Sequence, residues 1–269
     1  MEAETFQAFQ HIAYQKAGIF LRPGKAALVQ ARLARRLREL GLASEREYLH
    51  HLRDDAEDEL VLFLDAISTN FTKFFREPDH FELLTHDVEA ALSTGQKRFR
   101  FWCAGCSSGE EPYSAAMILE PLLRGRDWKL LATDLSTRVL SRAARGVYTD
   151  EEIDPIPGPL REKYLEKAAA AEGGRRYAIA RKLRERIVFH RLNLANRPYP
   201  MRGPLDLIFC RNVMIYFDRS MRTGLVGEIE RILRPGAHLV IGHSETLNGL
   251  ETALRSERPS VYRLPVEVR

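Results

Sequence analysis

Apolar residues in the first quarter of the chain recur at the spacing of a helix. Between residues 25 and 40 they lie three or four positions apart and form one stripe. The stripe consists of Val29, Leu33, Leu37 and Leu40. Residues 1–75 contain few glycines and no alternating strand pattern, so we predict that they are helical throughout. A further helix is predicted from Glu77-Pro78 to about Ser93.

From Arg98 the pattern changes to short apolar strands that alternate with helices. The predicted strands are Phe99–Cys103, Lys129–Thr133, Leu205–Cys210 and His238–Gly242, and the helices between them are about 112–123, 136–145 and 219–233. This alternation is typical of a doubly wound, mainly parallel sheet. We therefore predict an α/β protein with an N-terminal all-helical domain at 1–76 and an α/β domain at 77–269.

Residues 151–190 interrupt that alternation. They contain three prolines, an Ala-rich run that ends in Gly173-Gly174, and two segments with strand character, Tyr177–Ala180 and Ile187–His190. Breakers around short strands favour an antiparallel arrangement of their own. We predict a small β-subdomain that is inserted between strands of the main sheet.

Composition narrows the functional classes. With 45% hydrophobic and 29% charged residues, the chain of 269 residues resembles an ordinary globular protein. It has no apolar run of the roughly 18 residues that a membrane span needs. The acidic start is unlike a signal peptide, and three cysteines do not form a secreted disulfide framework. We expect a cytoplasmic protein without membrane insertion, and a net charge of +4 does not by itself indicate nucleic acid binding.

Charge is distributed unevenly along the N-terminal region. From Thr5 to Arg38 there are seven basic residues and no acidic one, whereas Glu45–Asp65 holds eight acidic residues. Four of the basic residues lie on the predicted helix away from the apolar stripe, namely Arg32, Arg35, Arg36 and Arg38. Two interpretations stay open at this point, a solvated basic face and a docking surface for an acidic partner.

The segment Phe99–Ser114 predicts a ligand-binding loop. A short aromatic strand ends at Ala104-Gly105, a second glycine follows at Gly109, and Glu110-Glu111 precedes the expected first turn of a helix. A strand, a glycine loop and a helix form the ligand crevice of an open α/β sheet. The spacing fits neither the dinucleotide fingerprint nor the P-loop. Carboxylates in the loop favour a cationic ligand without phosphate, and the sulfonium cofactor S-adenosylmethionine meets that description.

Polar residues at later strand ends are further candidates, because parallel strands meet the crevice at their carboxyl ends. Asp134 lies 25 residues after Gly109 and suits the ribose hydroxyls of a cofactor, with a helix N-cap as its alternative role. Asn193-Leu194 lies in a loop that could face adenine, although a loop Asn more often forms a local turn. Arg211-Asn212 ends a buried strand, and Tyr216 follows among apolar residues.

Two other patterns are interpreted as structural. Cys103-x-x-Cys106 resembles half of a zinc or redox site, but the third cysteine is over 100 residues away. We therefore favour small loop residues and predict no metal site. His243-Ser244-Glu245 has no accompanying nucleophile elbow, which favours a structural role over catalysis.

Four ordered motifs give the chain a resemblance to the CheR family of chemotaxis receptor methyltransferases. They are Ser-Thr-Asn-Phe-Thr-Lys-Phe-Phe-Arg-Glu from Ser68, Gly-Cys-Ser-Ser-Gly-Glu-Glu-Pro-Tyr-Ser from Gly105, Ala-Thr-Asp from Ala132, and Phe-Cys-Arg-Asn-Val-Met-Ile-Tyr-Phe from Phe209. The resemblance spans nearly the whole chain. It implies a Rossmann-like S-adenosylmethionine methyltransferase domain after the helical domain. One departure is Cys106-Ser107-Ser108-Gly109, where the family often has Ala-Ser-Thr-Gly.

The resemblance also implies a reaction and its site residues. The reaction is methyl transfer from S-adenosylmethionine to glutamate side chains on chemoreceptor cytoplasmic helices, which leaves S-adenosylhomocysteine. Cofactor contacts are implied at Asn70, Thr72, Arg76, Glu111, Asp134, Asn193, Leu194, Arg211 and Asn212. Arg76 and Tyr216 are implied to flank the methyl-transfer position. Arg76 follows the apolar pair Phe74-Phe75, where a charge needs an anionic partner.

The implied partner is the cytoplasmic domain of a chemoreceptor, with its acidic methylation helices. Whether a receptor C-terminal tether peptide takes part stays open. The enzyme is expected to be a monomer that is recruited to membrane receptor arrays.

Two alternative classes remain. A methyltransferase of nucleic acids or small molecules shares the cofactor crevice. Outside Phe71–Arg76, however, the chain lacks the aromatic and basic interleaving that stacks bases, so we expect no nucleic acid partner. A catalytically silent S-adenosylmethionine-binding regulatory module is the second alternative, and intact Arg76, Asp134 and Tyr216 argue against it.

Overall fold

The computed structural model describes residues 1–54, 58–68, 71–169 and 174–266. The longer helices are α1 (Ala3–Ala17), α2 (Ala26–Leu40), α3 (Glu45–Asp54), α4 (Asp58–Ile67), α5 (Asp79–Ser93), α6 (Glu110–Leu122), α7 (Thr137–Arg145) and α11 (Arg219–Ile232), and the short ones are α8 (Asp150–Ile153), α9 (Gly158–Tyr164) and α10 (Arg181–Arg184). The strands are β1 (Arg98–Ala104), β2 (Asp127–Asp134), β3 (Val147–Thr149), β4 (Leu165–Lys167), β5 (Arg176–Ile179), β6 (Ile187–Arg191), β7 (Leu205–Cys210), β8 (Leu233–Ile241), β9 (Arg255–Arg258) and β10 (Val261–Arg263).

Helices α1 to α4 pack around an aromatic cluster. The Phe9 ring centroid lies 5.3 Å from that of Phe63 and 6.0 Å from that of Tyr48, and all three side chains are fully buried. Helices α1 and α2 end at Gly18 and Gly41, which both adopt φ of 67°. This left-handed conformation favours glycine and ends a helix sharply. The predicted N-terminal all-helical region is thus confirmed as far as Ile67, but residues 71–75, which we also predicted to be helical, form a turn and an irregular segment without a helix.

Two arginines of the predicted basic face of α2 have structural partners. Arg36 donates to both carboxylate oxygens of Glu59, which is 3% exposed and also accepts the Tyr48 hydroxyl at 2.6 Å. Arg32 donates to the carbonyl of Ile67 at the end of α4. Both arginines are only partly exposed and are bonded to α4, so they hold the two helices together.

The main sheet has seven strands in the order β6-β2-β1-β7-β8-β10-β9. The first five run parallel, and β10 and β9 add an antiparallel edge. Successive residues of β1 enter opposite layers of core, with Phe101 packed on one face of the sheet and Trp102 on the other. All six residues of β7 are buried, because helices cover both faces of a parallel sheet. The predicted mainly parallel α/β sheet is confirmed.

The inserted β-subdomain is a three-stranded antiparallel sheet in the order β3-β5-β4. Our assignment of Ile187–His190 to this insert is wrong. These residues belong to β6, which pairs in parallel with β2 from Leu130↔Ile187 to Asp134↔Arg191. The strand character was correct, but the sequence gives no partner, and Ile187 and Phe189 pack against the core of the main sheet.

The helical region docks on the carboxyl edge of the main sheet. The Tyr14 hydroxyl donates to Asp218 at 3.0 Å, and Asp65 of α4 accepts bonds from Ser136 and Arg138 at the start of α7, both at 3.0 Å. The strand ends therefore face a wall made by α1 and α4. The domain boundary after residue 76 stays a prediction.

A doubly paired histidine fastens α5 and β9 to β8. His238 is 8% exposed, with Nδ1 2.8 Å from Asp87 and Nε2 2.9 Å from Glu257. Burial favours the neutral ring, but the two carboxylates outweigh it and raise the pKa of His238. The folded state thus binds the proton more tightly than the unfolded chain.

We expect His238→Asn to lower the free energy of unfolding by roughly 2 kcal/mol at about pH 6, where the charged hydrogen bonds are present. A raised folded pKa gives stability that is complete below the unfolded value of about 6.5 and is lost as pH rises through the folded value. The gap between wild type and variant should therefore narrow toward about pH 9 in urea unfolding curves. A gap of equal size at both pH values contradicts the protonated clamp.

Candidate active site

The loop that follows β1 is shaped by a glycine. Gly105 has φ of 76°, and a Cβ at this position would lie 2.4 Å from Cγ2 of Val213. The N–H groups of Gly105 and Cys106 donate to the carbonyl of Thr133 at 2.8 and 2.9 Å. These bonds tie the loop to the end of β2 and bring Ser107 beside Asp134.

Asp134 is held in place by backbone groups. Its Oδ2 accepts the N–H of Ser107 at 2.9 Å and its Oδ1 accepts the N–H of Ser136 at 3.0 Å. Burial raises the pKa of Asp134, and these hydrogen bonds oppose the rise. The N-cap of α7 is Ser136, whose hydroxyl accepts the N–H of Val139. Asp134 is thus not the N-cap, and each of its oxygens keeps a second acceptor position.

A buried arginine at the end of β7 bridges two acidic residues. Arg211 is 4% exposed, and its guanidinium donates to Glu111 at 2.9 Å and to Glu77 at 3.0 Å. The same guanidinium lies over the rings of Phe81 and Phe209, 5.6 and 5.4 Å from their centroids. Apolar rings around a cation strengthen its attraction to the carboxylates, because little water screens the charges.

The two carboxylates respond differently to burial. Burial raises the pKa of Glu111 although the charge of Arg211 opposes the rise. For Glu77 burial is outweighed by Arg211, and the pKa is lowered. Glu77 is therefore a stable anion and the counter-ion of Arg211. The anionic form of Glu111 is less favoured, and a further cation beside it would stabilise that form.

A buried acid, Glu245, holds the backbone at Arg211-Asn212, the polar pair that follows β7. Asn212 adopts φ of 59°, and its N–H donates to Glu245 at 2.7 Å. Glu245 is 8% exposed and also accepts the N–H groups of Gly242 and Ile215, at 2.7 and 3.1 Å. In the His243-Ser244-Glu245 segment, Glu245 thus serves the backbone, which agrees with the structural interpretation.

Arg76 stacks on a residue that the sequence did not single out. Its guanidinium carbon lies 5.7 Å from the ring centroid of Phe71, and Nη1 donates to the Phe71 carbonyl at 3.0 Å. The neighbouring rings turn away, with Phe74 against Tyr148 and Phe75 against Phe81. Our placement of Arg76 beside Phe74-Phe75 is corrected accordingly.

Tyr216 joins the site to the helical region. It ends a short 3₁₀ turn, Met214–Tyr216, and its carbonyl accepts the N–H of Phe20 at 2.8 Å. Its half-buried side chain packs against the core of α1 to α4.

Asn193 also reaches the N-terminal region, and Leu194 follows it. Asn193 donates through Nδ2 to the carbonyl of Lys16 at 2.6 Å and accepts the N–H of Ala195 at 2.9 Å. Its amide thus makes a local turn and a contact with α1. Leu194 is 8% exposed and packs in the core cluster that contains Trp102 and Tyr199. The contact of both residues with adenine stays a prediction.

A cavity of about 540 Å³ lies at this edge of the sheet. Small-molecule sites usually occupy about 300–1,000 Å³. Every predicted site residue within the described ranges lines it, namely Thr72, Arg76, Glu111, Asp134, Asn193, Leu194, Arg211, Asn212 and Tyr216. Asn70 lies outside the described residues.

The sequence did not predict several other lining residues, which are Ala17, Ile19, Phe71, Lys73, Leu135, Leu192, Ile215 and Phe217. Ala17 and Ile19 come from the end of α1, and a β-bridge joins Ile19 to Phe217. No local signal marks such a long-range contact. Phe71 and Lys73 lie inside the motif that starts at Ser68. The alternation of polar and aromatic residues in that motif is the sequence feature from which they could have been predicted.

One group near the cavity has the chemistry of metal ligands. Glu77, His80 and His243 bring ligand atoms within 4.8 Å of one another. His80 is fully buried, and burial lowers its pKa to about 4, so the ring is neutral. The anionic member, Glu77, already bonds to Arg211. A metal ion at these ligands would lie beside the Arg211 cation, and the absence of a metal site stays our prediction.

The three cysteines are buried, and none is in a disulfide. Burial raises the pKa of Cys103, Cys106 and Cys210. Thiolates, the form that reacts or binds zinc, are therefore disfavoured. This supports their interpretation as small packing residues.

Comparison with known proteins gives a consistent match along the chain. A family model described as "CheR methyltransferase, SAM binding domain" matches residues 70–262, and one described as "CheR methyltransferase, all-alpha domain" matches residues 4–68.

Curated relatives match over nearly their whole length. Chemotaxis protein methyltransferase 2 of Pseudomonas aeruginosa is 39% identical over 261 residues, which covers 96% of this chain and 92% of the relative. The chemotaxis protein methyltransferase of Escherichia coli is 38% identical over 96% of this chain and 90% of its own. That of Borreliella burgdorferi is 36% identical, with 94% and 91% covered.

Proposed function

The chain belongs to the CheR methyltransferase family, and we propose that it transfers methyl groups from S-adenosylmethionine to glutamate carboxylates on chemoreceptor cytoplasmic helices. The products are glutamate methyl esters and S-adenosylhomocysteine. Esterification removes negative charge from the receptor helix, which suits adaptation in chemotaxis-type signalling.

The observation that carries this proposal is the convergence of Glu111, Asp134 and Arg211 from separate elements on one cavity. The donor set suits S-adenosylmethionine, with Glu111 for the ammonium group and Asp134 for the ribose hydroxyls. A guanidinium, Arg211 or Arg76, suits the amino acid carboxylate. A Cβ at Gly105 would meet Val213, so this glycine keeps the loop in close contact with the segment that follows β7.

The chemistry asks for positioning more than for proton transfer. Bound S-adenosylmethionine supplies an electrophilic methyl group. A glutamate carboxylate is anionic near neutral pH, so the chain needs no general base. Arg76 presents a planar fork that suits the acceptor carboxylate. The ring of Tyr216 excludes water from the transfer position, and its hydroxyl orients the acceptor.

The proposed partner is the cytoplasmic domain of a chemoreceptor, whose acidic helices suit a chain with net charge +4. We propose a monomer that acts in the cytoplasm and is recruited to receptor arrays, with a receptor C-terminal peptide as a further contact to be tested. We propose no nucleic acid partner. Within the described ranges, no helix is both long enough and apolar enough to cross a bilayer.

The direct test is incubation with methyl-labelled S-adenosylmethionine and three acceptors. These are a receptor cytoplasmic fragment, the same fragment with its methylatable glutamates changed to alanine, and an RNA. We expect label only in the first, released by mild alkali as a methyl ester would be. Label in RNA, or alkali-stable label, contradicts the proposal. Cofactor binding without any transfer supports the silent module instead.

The docking hypothesis for α2 is now restricted to two residues. Arg35 is exposed over 79% of its side chain, and Arg38 is exposed one turn further on, whereas Arg32 and Arg36 are structural. We expect Arg35→Glu/Arg38→Glu to lower kcat/KM for the receptor fragment roughly three- to tenfold, because surface charges act on association. The affinity for S-adenosylmethionine, measured by calorimetry, should not change.

A matched control is Arg124→Glu/Arg126→Glu, which reverses two exposed charges in the turn before β2, at the amino edge of the sheet. It should leave receptor methylation unchanged at low and high salt. If the control lowers kcat/KM as much as the α2 variant, the effect comes from net charge and the docking surface is wrong.

A further inference from the structure

Two large apolar side chains are exposed at the mouth of the cavity. Among the described residues, the exposed large apolar side chains are Phe20, Leu28, Phe71, Val188, Ile215 and Val266. Only Phe71, 63% exposed, and Ile215, 49% exposed, also line the cavity. Exposed apolar groups that continue out of a binding cavity are typical of a surface that a partner covers.

Both side chains stand on fixed backbone. The Phe71 carbonyl accepts Nη1 of Arg76, and the Arg76 guanidinium covers one part of the ring. The N–H of Ile215 donates to the buried carboxyl of Glu245 at 3.1 Å. Side chains on pre-organised backbone lose little entropy on binding and therefore make good anchors.

Two cations line the same cavity as these anchors. Lys73 is exposed and lines the cavity, and Arg76 lines it with 30% of its side chain exposed. The mouth thus combines apolar contact with positive charge. A nucleic acid would use such cations for phosphate and the Phe71 ring for a base, whereas aliphatic Ile215 favours an apolar side chain over a second base.

We propose that Phe71, Lys73 and Ile215 form an acceptor collar that selects a glutamate flanked by apolar residues on one face of a receptor helix. This inference rests on the proposed function. On a helix the residues three and four positions from a glutamate share its face. The apolar neighbours would contact Phe71 and Ile215, while Lys73 attracts the carboxylate toward Arg76.

Single substitutions separate recognition from chemistry. Ile215→Ser leaves Arg76 in place, so we expect kcat to stay unchanged. KM for the receptor fragment should rise roughly three- to tenfold, because the variant loses the partial burial of an apolar side chain. Phe71→Ser should raise KM similarly, and Phe71→Leu should restore most of it. Val188→Ser, which changes a side chain 50% exposed that does not line the cavity, is the matched control and should change nothing.

The receptor provides the complementary change. A fragment whose apolar residues three and four positions from the methylated glutamate are changed to serine should show raised KM with wild-type enzyme. With Ile215→Ser enzyme the further rise should be smaller, because the contact with Ile215 is already lost and only the contact with Phe71 remains to be removed. The collar is overturned if the changes in KM from the enzyme variant and from the fragment variant are additive. It is also overturned if KM is unchanged in the Ile215 and Phe71 variants, or if the enzyme binds RNA and these variants lose that binding. If wild-type enzyme methylates neither fragment, the proposed function fails instead.

Discussion

Arg211→Met should lower the free energy of unfolding by about 3–5 kcal/mol, the usual cost of leaving buried charges without their partner. The Arg211 side chain is 1% exposed and holds Glu111 and Glu77, two acids that would face each other without it. We also expect binding of S-adenosylmethionine to fall below detection in calorimetry. Urea unfolding and calorimetry on the same sample separate the two effects.

The triple variant Arg211→Met/Glu111→Gln/Glu77→Gln is the control for folding. Removing all partners of a buried ion cluster is often neutral for stability, so the triple variant should regain most of the lost stability. It should still not bind the cofactor, because Glu111 is the residue proposed for the ammonium group. Recovery of binding in the triple variant would show that Arg211 and Glu111 are only structural.

The pKa of Glu111 adds a dependence on pH with a defined sign. Burial raises this pKa and Arg211 limits the rise. Since the anionic form would receive the ammonium group, cofactor affinity should decrease as pH falls through the raised pKa, at a higher pH than for an ordinary glutamate.

The sequence predicted the part of the site that lies at strand ends. Asp134 is the last residue of β2, and Arg211 follows β7. Parallel strands bring their carboxyl ends to one edge, so order along the chain is enough to place the two residues together. Glu111 was predicted for a related reason, since it lies in the first turn of the helix after β1. Periodicity and breakers thus carry topological information when the sheet is parallel.

The sequence did not predict contacts between segments that lie far apart along the chain. Arg36 was predicted to belong to a basic face because helical spacing tells only on which face of its helix a residue lies. Its partner Glu59 is 23 residues away, and the spacing does not identify it. Likewise, the strand at Ile187 was predicted from its local pattern, but its pairing with β2 was not. Pairing between distant segments follows from packing, which local patterns do not encode.

The second large effect is expected at Arg76. We expect Arg76→Ala to lower kcat roughly a hundredfold or more, as when a group that holds a reacting anion is removed. Arg76→Lys should recover little, because an ammonium group cannot make the planar two-point contact of a guanidinium. Single-turnover methylation at saturating cofactor measures the step itself. A full-rate Arg76→Ala enzyme would exclude Arg76 from acceptor alignment.

We expect both the ring and the hydroxyl of Tyr216 to contribute to kcat. Tyr216→Phe keeps the ring that packs against α1 to α4, so we expect a smaller loss of kcat than for Tyr216→Ala. As a comparison, Cys103→Ala/Cys106→Ala should keep most activity, and alanine is chosen because both positions are almost fully buried. If the cysteine variant loses more than Tyr216→Ala, the transfer depends on thiol chemistry. Because thiols with raised pKa are poor nucleophiles, we expect Arg76 and Tyr216 to govern the step.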